Sequence, residues 1–407
     1  MKYILIIGDG MADLPLKELG SKTPLQVADH PNMDFIASHG SCGRLITLPQ
    51  ELDSGTDVAI MSILGYNPKE FHTGRGPLEA AGIGVKLNEH DIAFRCNLIT
   101  ERNGILVDYS AGHISTEEAR ELLKSIKDAF EEPRRIEFFP GVSFRHLLVL
   151  KGNKYSNKII CTPPHDALNK PISKILPKEK DEDGVKTARI LRKIIVESKD
   201  ILSDHPINKM RIKRGNNPAN MIWPWGHGIK PNFQPFYNLY GIKGAVISAV
   251  DIVNGIGVFA GFDVIRVPGA TGYYDTNYEG KADYALKSLK DHDFVLIHVE
   301  APDEAGHLGD YELKIKTIED LDKRLIGRIL KDLKGDYTIA ILSDHITSTE
   351  LRVHSREPVP FAIFSTSQTK ASKVSRFDEF SVEKGSLGLV EGIKFMSLFL
   401  KHDELTK

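Results

Sequence analysis

Three short apolar runs, each ending abruptly in carboxylate or imidazole side chains, constrain this chain more than any other feature. Residues 3–7 run into Gly8-Asp9-Gly10. Residues 294–299 run into Glu300-Ala301-Pro302-Asp303, with His307 four positions after Asp303. Residues 337–342 run into Ser343-Asp344-His345, and His354 follows nine residues later. Short apolar runs of this kind read as strands buried on both faces, as in a parallel sheet. Parallel strands bring their C-terminal ends to one edge, where ligands of open α/β folds bind. The pattern therefore predicts that these distant acids and histidines converge. Asp303 and His307, one helical turn apart, would face the same ligand.

Carboxylate plus imidazole suits zinc, manganese or a similar divalent ion better than calcium. Asp9, Asp344 and His345 form one expected half-site, and Asp303, His307 and His354 the other. Two cations about 3.5–4 Å apart can clamp the attacking and leaving oxygens of a phosphoryl displacement. Single elements of the pattern carry little weight, since an Asp at a strand end is often a helix cap. Their joint placement after three apolar runs carries the inference. The matching nucleophile is a hydroxyl in Asp53-Ser54-Gly55-Thr56-Asp57, just before a helical stretch at residues 57–64. Free N–H groups and the positive end of a helix would hold phosphate there. Ser or Thr in that place is most often a plain N-cap, and position alone leaves Ser54 and Thr56 equal.

Around these runs the order of elements predicts an α/β core split by an insertion. A helix is expected over residues 23–38, opened by Pro24, and a strand over 43–48. The middle third reads differently. Asn103-Gly104 between two apolar runs signals a hairpin, followed by a helix at 115–130, a strand at 142–150 and a helix at 185–200. This is a small α+β unit. Strand and helix then alternate again, with strands at 245–250 and 361–364 and a long helix at 311–331. The expected division is residues 1–90 and 221–407 for the core and 91–220 for the insert, with hinges at 86–91 and 215–220.

Composition narrows the class of function. The 53 Lys and Arg nearly balance the 55 Asp and Glu, giving a net charge of −2. No global field favours nucleic acid or an anionic membrane. The apolar runs are too short for a secretory leader or a spanning helix. Cys42, Cys96 and Cys161 are few and widely spaced, which argues against a disulfide framework and fits a cytoplasmic protein.

Gly8-Asp9-Gly10-Met11, Ser54-Gly55-Thr56-Asp57, Ile63-Leu64-Gly65-Tyr66-Asn67-Pro68 and Thr73-Gly74-Arg75-Gly76-Pro77-Leu78-Glu79-Ala80 resemble segments of the archaeal-type, cofactor-independent phosphoglycerate mutases. So do Phe94-Arg95-Cys96-Asn97, Trp225-Gly226-His227-Gly228 and Asp275-Thr276-Asn277-Tyr278-Glu279-Gly280-Lys281-Ala282. The resemblance spans nearly the whole chain and is thinnest at residues 151–213. It implies a fold of the alkaline-phosphatase superfamily: a core with a mainly parallel central sheet flanked by helices, plus an inserted smaller α+β lid. It implies interconversion of 3-phosphoglycerate and 2-phosphoglycerate with two divalent metals (Mn, Zn, Mg or Co) and without 2,3-bisphosphoglycerate. It carries metal roles onto Asp9, Asp303, His307, Asp344, His345 and His354, and the nucleophile onto Thr56, where the family usually has Ser.

A small phosphorylated substrate with a carboxylate calls for guanidinium forks. Arg75, Arg95, Arg102 and Arg145 are the candidates, with Glu79 expected to steady the Arg75 loop. His165 and Asp166 are expected to shuttle a proton, and Lys281 to neutralise phosphate charge. The rival readings are a homoserine kinase-like phosphotransferase and a phosphatase or phosphodiesterase on the same core.

Overall fold

The computed structural model describes residues 1–132, 135–368 and 372–402. The chain forms two compact units. One comprises Met1–His72 and Asn232–Lys407, and the other Thr73–Pro231.

The first unit is built on an eight-stranded sheet. Its order across the sheet is Asp263–Val264, Gly244–Ile247, Phe294–Val299, Lys2–Gly8, Tyr337–Ser343, Val359–Ser365, Ser41–Ile46 and Gly388–Glu391. Only Val359–Ser365 runs against the others. The three apolar runs are adjacent central strands. Lys2–Gly8 pairs in parallel with Phe294–Val299 on one side and Tyr337–Ser343 on the other. Gly8 is registered opposite both Val299 and Ser343. The three chains thus leave the sheet at one level, and the residues that follow share one edge.

Both faces of these strands are buried. Ile4, Ile6, Val295, Ile297, Ile339 and Ile341 pack with Ile318, Leu321, Leu325 and Met33 from the covering helices. At about 25 cal/mol per Å² of apolar area, burying such side chains is the main source of stability. The expected helix over 23–38 is two helices, Pro24–Val27 and Pro31–His39. Pro31 lacks the N–H needed to continue the first, and its ring would clash one turn back. The expected long helix at 311–331 is present as Tyr311–Asp320 and Gly327–Asp332 joined by a π-helical stretch, Leu321–Ile326.

The second unit holds a five-stranded antiparallel sheet with Ile92–Arg102 at its centre. Asn103 and Gly104 both take positive φ, 52° and 79°, as the tight hairpin turn requires. Helices Thr116–Phe130 and Val185–Ser203 bury Leu122, Leu123, Ile126, Leu191 and Ile194 in a core with Phe94, Phe138 and Leu148. The unit is wider than the 91–220 expected. Helix Arg75–Gly82 lies so close to the central strand that a side chain at Gly76 would run into the backbone of Ala93. Strand Met221–Ile229 pairs with the same central strand. Both contacts are non-local, so the boundaries fall at 72/73 and 231/232, outside the expected hinges.

A buried carboxyl in the first unit gives its stability a pH dependence. Glu379 accepts from the Thr23 hydroxyl at 2.7 Å and from the backbone N–H of Asp13 at 3.0 Å. Burial pushes its carboxyl up to about 7, against an unfolded value near 4.3. Between these values the folded state binds more protons than the unfolded state, so stability falls as pH rises. Glu379→Gln should remove that contribution. Urea unfolding of the metal-free protein should show a smaller loss of stability from pH 5 to pH 8 in the variant than in the parent.

Candidate active site

Asp9 leaves the first central strand into a turn at Gly10, whose φ is +55°. A side chain at Gly10 would collide with Thr347 and Asp303, so only glycine lets the three strand-end loops approach this closely. Helix Ala301–Leu308 starts directly after its strand, with Pro302 in the first turn, and presents Asp303 and His307 on one face. Ile346–Ser348 and Val353–Ser355 form a short hairpin with His354 opposite Thr347.

These loops bring the six sequence-predicted ligands together. His345 Nε2 lies 3.3 Å from Asp9 Oδ1 and 3.4 Å from Asp344 Oδ2. Asp303 Oδ2 lies 3.4 Å from His307 Nε2, and its Oδ1 3.3 Å from His354 Nε2. His345 also lies within 4.8 Å of Asp303 and His354, so the acids and imidazoles form one continuous cluster. The Thr56 hydroxyl sits 3.3 Å from both Asp9 Oδ2 and His345 Nε2. Thr56 opens helix Thr56–Ile63, with Gly55 as its N-cap. Ser54 instead offers its backbone carbonyl to His354 Nδ1 at 3.0 Å.

Two further residues join the cluster. His298 is buried, with Nε2 3.0 Å from Asp9 Oδ2, and Glu300 approaches Asp9 and Asp303 closely enough to share a ligand position with them. His298 lies inside an otherwise apolar strand, Phe-Val-Leu-Ile-His-Val. That lone polar residue was the available signal.

Electrostatics separate the two halves. Burial raises the carboxyls of Asp9, Glu300 and Asp344, those of Asp9 and Glu300 well above the ordinary range. The charges of Asp344 and Asp303 raise Asp9 further. Burial would raise Asp303 too, but hydrogen bonds to His307 and His354 outweigh it and hold the carboxyl well below its usual range. Against burial, the hydrogen bond to Asp303 lifts His307 to about 9. Burial, with the charge of His354, holds His345 well below the usual imidazole range.

The donor set fits divalent cations. Asp9 Oδ1, Asp344 Oδ2 and Glu300 Oε2 are buried oxygens that make no hydrogen bond, a costly state for an acceptor unless a cation takes its place. The ligand atoms of Asp303, His345 and His354 lie within 4.8 Å of one another, as do those of Asp9, His298 and Asp344. His307 Nδ1 and His354 Nδ1 lie 3.0 Å from the carbonyls of Arg352 and Ser54. Donation there turns each Nε2 towards Asp303 and towards the other imidazole, 2.9 Å away, the orientation usual for imidazoles around bound metal.

Lys281 is wholly buried and donates to the carbonyl of His298 at 2.9 Å. It steadies the end of the strand that carries His298, two residues before Glu300, and burial lowers its ammonium to about 8.

The second unit gathers several of the remaining candidates. Arg95 pairs with Glu79 at 3.1 Å and lies over the Trp225 ring at 4.6 Å. Glu79 therefore steadies Arg95. Gly226 lies beside the side chains of both Arg75 and Arg95. His165 packs edge-on against Trp225, and burial with the charges of Arg95 and Arg75 keeps its imidazole low, against the pull of Asp166. Rings of Trp225, His165, Tyr109 and Phe144 run in contact towards Arg145, whose guanidinium covers Phe144. Arg102 ends the central strand at the hairpin, seven residues or roughly 23 Å along from Arg95, and does not join them.

The model of the 2,3-bisphosphoglycerate-independent phosphoglycerate mutases matches residues 37–208, and that of the type I phosphodiesterases and nucleotide pyrophosphatases residues 178–362. A 2,3-bisphosphoglycerate-independent phosphoglycerate mutase of Methanosarcina barkeri is 50% identical over 98% of this chain and 100% of its own. A probable one of Geobacter sulfurreducens is 45% identical over the same shares. The solved cofactor-independent phosphoglycerate mutase of Thermoplasma acidophilum is 32% identical with a TM-score of 0.69, covering 99% of this chain and 100% of that one. A protein of Pyrococcus horikoshii, also 32% identical, has a TM-score of 0.84 over 100% and 98%. Full-length similarity at this level, on an alkaline-phosphatase-like fold whose strand ends gather these acids and histidines, places the chain in the 2,3-bisphosphoglycerate-independent phosphoglycerate mutase family, enzymes of the isomerase class.

Proposed function

We propose that the chain interconverts 3-phosphoglycerate and 2-phosphoglycerate through phospho-Thr56, with two divalent cations held by Asp9, Asp344 and His345 and by Asp303, His307 and His354. The observation that carries this reading is the Thr56 hydroxyl, 3.3 Å from a ligand atom of Asp9 and of His345 at the start of a helix. Bound cations at such a centre polarise phosphoryl oxygens and lower the pKa of a nearby hydroxyl.

The chain's own groups do the rest. Thr56 Oγ1 attacks phosphorus, and the glycerate oxygen leaves on the opposite side. The free N–H groups of the first helical turn favour the negative charge on the phosphoryl oxygens. Asp57, in that turn, holds His72 at 2.7 Å and helps fix the start of the helix. In the second transfer the other glycerate hydroxyl attacks phospho-Thr56, which regenerates the free hydroxyl. One glycerate oxygen gains a proton and another loses one over the cycle, and His165 with Asp166 is assigned that exchange. Arg75, Arg95 and Arg145 are assigned the glycerate carboxylate, which bidentate guanidinium contacts suit. Water must be kept from the phosphoenzyme, or the same chemistry becomes hydrolysis.

Thr in place of Ser leaves the nucleophile intact. Its methyl restricts χ1, which presents the oxygen in fewer orientations. Manganese is the first cation to try, since carboxylate and imidazole ligands accept several divalent ions.

With manganese and 3-phosphoglycerate, coupled enolase should record phosphoenolpyruvate with little free phosphate. The reverse outcome would make the protein a phosphatase. Thr56→Ala should lower turnover by more than about a thousandfold, and chelation should abolish it until manganese is returned. Brief exposure to 3-phosphoglycerate, acid quenching and peptide mass spectrometry should locate phosphate on Thr56. Phosphate on Ser54 would displace Thr56 from its role.

A further inference from the structure

Each of the three imidazoles at the proposed cation centre has its second ring nitrogen engaged. His307 and His354 each face a backbone carbonyl, which only accepts. His345 is different: its Nδ1 faces the Thr347 hydroxyl at 3.2 Å. The same hydroxyl lies 2.5 Å from Asp303 Oδ1. Asp303 belongs to one half-site and His345 to the other, so one buried oxygen touches a ligand of each.

The donor inventory sets the direction of both hydrogen bonds. An ionised carboxylate only accepts, and a hydroxyl has one hydrogen to give. Asp303 already faces imidazoles at 3.3 and 3.4 Å, so the Thr347 hydrogen goes to Asp303. The lone pairs left on Oγ1 can only accept, so the proton between Thr347 and His345 sits on Nδ1. Nε2 then carries the lone pair, and Nε2 is the atom directed at Asp9, Asp344 and Thr56.

The hydroxyl is also held in place. The N–H of Thr347 donates to the carbonyl of Ala12 at 3.2 Å. Its own carbonyl accepts from Lys314 Nζ at 2.6 Å. Lys314 is fully buried, pairs with Asp13 at 2.8 Å and donates to Ala12 at 3.2 Å. Gly10 leaves the hydroxyl the space that a side chain there would fill. The branched Thr side chain adds few rotamers of its own.

We propose that Thr347 is a positioning residue that fixes His345 in its Nδ1–H tautomer and couples the two cation half-sites through a single hydroxyl. The proposal rests on the two-cation reading and goes beyond it by naming what links the sites. Removing an outer partner of a metal-bound imidazole costs about 10- to 100-fold in metal affinity, and here one removal touches both halves.

The test is titration of chelator-stripped full-length protein with Co2+ alone, followed by calorimetry and visible absorption. The parent should take up two ions; failure to do so would overturn the two-cation reading and this proposal with it. Thr347→Val keeps the shape and removes the hydroxyl. It should weaken Co2+ binding about 10- to 100-fold and change the cobalt spectrum, and it should lower the melting temperature of the metal-free protein, because a buried hydrogen bond to a carboxylate is lost. Thr347→Ser should restore the affinity and the spectrum. Parent-like binding by Thr347→Val, or equal weakening in Thr347→Ser, would overturn the role of the hydroxyl. If Thr347→Val does not fold, Thr347→Ala, which has room in the site, carries the same comparison with Thr347→Ser.

Discussion

The structure depends on carboxylates crowded where no water can screen them. Asp9 and Asp344 are fully buried, Asp303 nearly so, and Glu300 stands beside them. Isolated buried charge costs several kcal/mol per ion even after relaxation. The fold accepts that cost at the exit edge of three adjacent strands, whose own burial is apolar and favourable. Two imidazoles offset the charge of Asp303 directly. Asp9 and Asp344 have oxygens with no such donor, and a cation is the group that satisfies them. Stability and chemistry therefore meet at the same place: the sheet supplies rigidity, and its edge supplies unsatisfied ligands.

That arrangement explains the loops around the site. Gly10 must lack a side chain, because the Asp9 turn passes against Thr347 and Asp303. Helix Ala301–Leu308 must start at once after its strand, so that Asp303 faces Asp9. The Lys314–Asp13 pair ties the helix after that one to the loop after the first strand. A buried ion pair is weak evidence for stability in general. Here it holds backbone carbonyls of two ligand-bearing loops at one ammonium.

Much of this was legible because it is local. An apolar run and its boundary lie within a few residues, so Asp9, Asp303, His307, Asp344, His345 and His354 could be named, and the parallel sheet gave a physical reason for them to meet. His298 was not named, because a histidine within a strand reads as core until its neighbours are known. Nor could spacing reveal that Thr347 touches both halves, since that contact needs helix Ala301–Leu308 to pack against the strand that carries Thr347. The insert's limits were missed for the same reason. Helix Arg75–Gly82 looks like part of the core in sequence, and only its packing on Ala93 assigns it elsewhere. Arg95 and Arg102 share a strand and the same chemistry, yet only Arg95 meets Trp225.

The central claim is that the strand-end acids and imidazoles hold a pair of cations beside Thr56. Anomalous scattering from crystals grown with manganese tests it most directly. Two peaks about 3.5–4 Å apart are expected, one among Asp9, Asp344 and His345 and the other among Asp303, His307 and His354, with the Thr56 oxygen adjoining the first. A single peak, or peaks away from these residues, would contradict it.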